Sequence, residues 1–259
     1  MAATLNGQII YEFPLNERIR TFIRLEKLFQ HISHFVKGES EWDSRAAIEG
    51  LLDTMAIFSR SDIRSELLKE LERHYKVLAR LARSHGIDRE KLQEVVDQID
   101  ELSQRLRGIN GKLGNQLTTE GLFKSIAQRS AIPGGTCSFD LPYYHYWLQR
   151  PVDDRQLDLN QWLAPFQPIR EGIDFVLGTI RHSAVPQETV AKAGFFQENL
   201  DKTLPFQLIR VGLDSDQPYF AEISGGKHRF TIRFLTLEPE GRSRQSTSDV
   251  PFHLNRCQF

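Results

Sequence analysis

Cys137 and His145 supply the residue types of a nucleophile and its base. The thiolate is the attacking form, so a catalytic cysteine needs polar, electropositive surroundings. Cys137 instead lies in the apolar run TCSFDL, where a buried, unreactive thiol is the expectation. His31 and His34 sit at the i, i+3 spacing that two metal ligands on a helix use. No nearby cysteine and no carboxylate on that face completes a set. Gly225-Gly226-Lys227 shares the last step of a phosphate-binding loop. That loop also needs glycine where this chain has Ala221, and Ser or Thr where it has His228. No Gly-x-Gly-x-x-Gly follows a strand, and neither His-Glu-x-x-His nor Gly-x-Ser-x-Gly occurs. The residues therefore predict no enzyme, with no catalytic group, no metal and no cofactor.

Two groups of cations remain. In the segment YFAEISGGKHRFTIRFLTL, residues 219–237, two β-favouring runs flank Ser224-Gly225-Gly226, which reads as the turn of a hairpin. Successive strand side chains face opposite ways. Lys227, Arg229, Thr231 and Arg233 then share one face, and His228, Phe230, Ile232 and Phe234 the other. Like charges on one strand face repel, so an acidic partner would give this arrangement a reason. The bland alternative is a sheet face or edge kept soluble by its charges. The second group is Arg20, Arg24, Lys27, His31 and His34, whose spacing places all five on one helix face. Its bland alternative is a solvated helix face. The aromatic run Tyr143, Tyr144, His145, Tyr146 and Trp147 reads as core packing or as a stacking platform, with His145 packed or reaching a partner.

Residues 8–13 (QIIYEF) read as a strand stopped by Pro14. Asn16 caps a helix to about Lys37 that buries Ile19, Phe22, Ile23, Phe29, Ile32 and Val36. A second helix starts at Asp43 or Ser44, and a third at Ser61 or Asp62 with Gly86 as its stop. Asp88 caps a fourth, and Thr118 or Thr119 a fifth. The third and fourth, at about 22 residues each, form an αα-hairpin roughly 33 Å long. Residues 136–141 read as a strand, and Pro142 opens a short aromatic helix. Helices follow over 154–163 and 169–181. Strands follow over 194–200, 206–213, 218–223, 227–237 and 250–256, with 238–249 a polar loop.

Helices followed by strands predict an α+β chain: a mostly helical domain with a long αα-hairpin, plus a smaller antiparallel β-sheet domain. The expected division is a helical domain over 14–185, with strand 136–141 joining the sheet, and a β-domain over 186–259 completed by the N-terminal strand 8–13.

The 259 residues carry 33 Lys and Arg against 34 Asp and Glu, so any basic patch is local, which argues against a general nucleic-acid binder. Two cysteines are too few for a disulfide framework. The N-terminus shows no basic and apolar leader, and no apolar run nears the roughly 18 residues that span a membrane. A cytoplasmic protein without membrane insertion is the expectation.

FPLNERIRTFIRLEKL, IRSELLKELERH, AIPGGTCSFDLP followed by HYWL, and EISGGKHRFTIRF stand in that order along the chain. Together they resemble the cell division protein ZapD family. The resemblance implies a non-enzymatic bacterial protein of the divisome, acting in septation in the cytoplasm at the mid-cell division ring. It further implies a homodimer that binds the C-terminal tail of FtsZ and cross-links protofilaments into bundles at the Z-ring. Arg20 and Arg24 in the first block, and Lys227, Arg229 and Arg233 in the last, match basic positions implicated in tail binding, and His145 matches a polar one. A family arginine corresponds to Gly121 here, with Lys124 as its nearest substitute. A nucleic-acid-binding or other adaptor protein using the same cations is the alternative.

Overall fold

The computed structural model describes residues 4–5, 7–82, 88–109, 111, 113–114, 117, 121–238 and 241–259. The expected stop at Gly86, the link between the third and fourth helices and the caps Thr118 and Thr119 lie outside the described residues. The fold is α+β. The chain divides into two compact units, one of Met1–Ile23 with Val176–Phe259 and the other of Arg24–Phe175.

The unit Arg24–Phe175 is helical. It holds most of α1 (Glu17–Phe35), all of α2 (Glu41–Arg60), α3 (Ile63–Leu81), α4 (Arg89–Arg107), α5 (Gly121–Arg129), α6 (Pro142–Leu148) and α7 (Val152–Leu163), and the first half of α8 (Gln167–His182). Polar caps set the starts. Ser40 and Asp43 form a reciprocal capping box at α2, so this helix begins earlier than the expected Asp43 or Ser44. Asp62 accepts from the Ser65 amide at α3 and Asp88 from the Lys91 amide at α4. On α4, Ile99, Leu102 and Leu106 are buried, while Leu92 and Val95 are half-buried.

One buried side chain does much of the joining. Arg155 on α7 is 5% exposed. Its guanidinium donates to the Glu39, Ser40 and Arg150 carbonyls at 2.6, 3.1 and 3.1 Å, and to Ser44 Oγ at 2.6 Å. Four acceptors replace the water that a buried charge gives up. Trp147 from α6 packs at a tilt against Trp162 of α7, ring centres 5.3 Å apart, and donates to Asp158 at 2.8 Å.

The expected strand 136–141 does not form. Those residues are successive turns: Cys137 N donates to Gly134 O, and Asp140 N and Leu141 N donate to Cys137 O. A strand needs a ladder partner, and this stretch lies in the helical unit, without one among the described residues. Cys137 is consequently exposed rather than buried.

The other unit is a β-sandwich. One sheet has the order β1 (Thr4–Leu5), β2 (Gln8–Pro14), β5 (Phe206–Asp214), β9 (Val250–Gln258), β3 (Gln187–Ala191). The second has β4 (Phe195–Asn199), β7 (Arg229–Leu237), β6 (Phe220–Gly226), with β8 (Ser243–Gln245) on β7. Every pairing is antiparallel. Ile209, Val211 and Leu213 of β5, Phe252 and Leu254 of β9, and Phe230, Ile232 and Phe234 of β7 form one buried cluster between the sheets. On the outer face of the first sheet, Glu12 and Arg210 are cross-strand partners. Glu12 also pairs with Arg181 of α8. Burial alone would raise the Glu12 carboxyl, but the two guanidiniums outweigh it and hold it below the usual range. β3 and β8 fall in stretches whose composition gave no strand signal. β8 occupies part of the expected polar loop.

Candidate partner-binding surface

The hairpin β6–β7 holds three of the candidate cations. Its turn is Lys227-His228, not Ser224-Gly225-Gly226, because Gly226 and Arg229 are the last paired residues. Gly225 serves close packing: a Cβ there would lie 2.6 Å from the Arg229 carbonyl oxygen and 2.7 Å from Phe230 Cα. Lys227 therefore sits in the turn rather than on the strand face. His228 is exposed beside it rather than directed inward.

From Arg229 onward the alternation holds. Phe230, Ile232 and Phe234 are fully buried, while Arg229 and Arg233 are exposed. The corrected turn sets a register that puts Glu222 directly opposite Arg233, and the two form an ion pair. Arg229 donates to Gln197 of β4. The strand face is thus partly neutralised by its neighbours. Glu222 was missed as a partner because a turn at residues 224–226 hides the pairing. A two-residue turn at 227–228 would have shown it.

Arg20 belongs to the same unit. It lies in the first turns of α1, half-buried, with Nε 3.1 Å from Glu17 and its guanidinium 5.9 Å from the centre of the Phe13 ring. Arg24 and His145 belong to the helical unit. Arg24 is exposed on α1, as are Lys27, His31 and His34. The aromatic helix α6 splits cleanly: Tyr144 and Trp147 are buried, while Tyr143, His145 and Tyr146 face out. Arg45 of α2 lies over the Tyr144 ring at 5.1 Å and donates to Thr136. Of the six candidates, the structure brings Lys227, Arg229 and Arg233 together on one hairpin.

Among the described residues, no group of three or more His, Cys, Asp or Glu side chains could hold a metal ion. No helix among them is long and apolar enough to cross a membrane. What the hairpin can do chemically is bind carboxylates: two exposed guanidiniums sit on a strand backed by buried phenylalanines, and an ammonium stands in the adjoining turn.

Comparison with known proteins adds a family. Residues 23–233 match the family model described as ZapD, cell division protein. A protein of Methylococcus capsulatus named cell division protein ZapD is 50% identical over 253 residues, covering 98% of this chain and 99% of its own. Proteins of the same name from Aromatoleum aromaticum and Azoarcus sp. are 37% and 36% identical, covering 97% and 96% of this chain and 98% and 99% of theirs.

Proposed function

This chain belongs to the ZapD family of cell division proteins, and from that premise we propose that it binds the C-terminal tail of FtsZ and, as a homodimer, cross-links FtsZ protofilaments into bundles. In this reading it is a non-enzymatic factor, working in the cytoplasm at the mid-cell ring.

The observation that carries the reading is β7. Its apolar side chains anchor it in the sandwich, while Arg229 and Arg233 emerge on the solvent side and Lys227 stands in the adjoining turn. Arg20, Arg24 and His145 are proposed as further tail contacts, each to be tested by its own substitution.

Each exposed ion pair contributes about 0–1 kcal/mol. A carboxylate reaching Arg233 also competes with Glu222. A single tail therefore binds weakly. A dimer facing a filament with one tail per subunit makes its second contact nearly intramolecular, and avidity supplies the cross-link.

Co-sedimentation and electron microscopy with polymerised FtsZ test this. Arg229→Glu with Arg233→Glu is expected to abolish bundling, with dimer mass and melting curve unchanged. Bundling at the wild-type level in that folded variant would overturn the assignment.

A further inference from the structure

The helical unit contains a cleft of about 710 Å³ that the basic hairpin does not use. This volume is within the roughly 300–1,000 Å³ of ligand sites. Phe29 and Ile32 of α1 and Val36 just after it lie buried behind the cleft, Leu163 of α7 and the adjoining Ala164 offer its open apolar surface, and Lys37 and Arg170 add the charge. Among the described residues, none that lines it is acidic. Lys37 is exposed. Arg170 is fixed in place: its Nη1 donates to Ser33 Oγ at 2.7 Å, and its Nε lies 3.8 Å from Asp174.

An apolar surface lined by two cations, with one acid, Asp174, beside Arg170, favours an anionic ligand over a neutral or cationic one. A purely hydrophilic anion would leave the wall wet. We propose that this cleft is a docking site for a short amphipathic acidic peptide. An apolar side chain rests against Leu163 and Ala164, over the buried Phe29, Ile32 and Val36, and a neighbouring carboxylate meets Lys37 and Arg170. The class of ligand follows from complementarity of charge and surface. Its identification as the FtsZ tail rests on the reading above, of which the cleft would be a second, apolar anchor.

Fluorescence anisotropy on the full-length protein tests the proposal, using a fluorescein-labelled FtsZ tail peptide and a control peptide whose apolar residues are replaced by serine. Two variants probe the cleft differently. Ala164→Trp places bulk at the lining, where Ala164 is exposed, and Lys37→Glu reverses a charge without filling space. Melting curves confirm their fold, and Lys37→Glu decides alone if Ala164→Trp does not fold. Each variant is expected to weaken the tail peptide about tenfold or more, and the serine control is expected to bind comparably weakly to the wild type. Wild-type affinity in the folded variants, or equal affinity for the control, would overturn the cleft. Loss only in Arg229→Glu/Arg233→Glu overturns the cleft and leaves the basic hairpin standing. Loss only in the cleft variants upholds the cleft and removes the hairpin. No binding to the wild type overturns both.

Discussion

His74 on α3 is fully buried, beside Glu70 on the same helix and 6.3 Å from the ring of Phe175. Burial pushes its imidazole below the ordinary histidine value, and Glu70 opposes that shift only in part. The unfolded chain therefore takes up a proton in a range where the folded chain does not. The stability at stake is fully present above about pH 6.5 and is lost as pH falls below it. Urea unfolding at pH 7.5 and 5.5 is expected to show a larger loss for the wild type than for His74→Phe. Equal losses would mean that His74 is not the titrating group. Among single residues, those with helical or strand periodicity were the legible ones: Ile19, Phe22, Phe230 and Ile232 are buried where their spacing put them. Arg155 was not legible, because nothing local marks an arginine three of whose four acceptors come from residues more than a hundred positions earlier.

At the scale of elements, capping and turn chemistry fixed the boundaries. The link between β3 and β4 shows how. Lys192 and Phe195 form a bridge across Ala193-Gly194, and both of those residues have positive φ, 47° and 68°. This is the demand of a type I′ turn, which glycine meets without strain and alanine does not. Asp249 holds the alanine there, accepting from the Ala193 amide at 3.1 Å and from Lys192 Nζ at 2.7 Å. Ala193→Gly removes the strain but loosens the unfolded chain, so the expected net gain is about 0.5–1 kcal/mol. A shift of the urea midpoint to higher concentration checks it. The reverse change at Gly194 should be harmful, since a Cβ there would lie 2.6 Å from the Ser246 carbonyl oxygen. The Lys227-His228 turn is the counter-case. Its glycines lie before the turn, in β6, so composition pointed two residues too early and concealed the Glu222–Arg233 pair.

At the scale of the whole molecule, the proposed activity is collective. A net charge of −1 gives no general attraction to an acidic filament, so local cations and repeated contacts must act together. Bundling is therefore expected to fall steeply between low and physiological salt, where the screening length shrinks to about 8 Å. Turbidity and sedimentation across a salt series check this. A salt-independent yield would point away from the exposed arginines and towards apolar contacts.

The sequence by itself determined the α+β class, most helices, the main strands and the family, because these depend on local periodicity, caps and the order of motifs. Tertiary structure alone decided what each candidate cation faces. It gave Arg233 an acidic neighbour, moved Lys227 into a turn, exposed Cys137 in a run of turns and walled a cleft with residues from separate helices. Those outcomes depend on strand register and on contacts between residues distant in the chain, which no local pattern encodes.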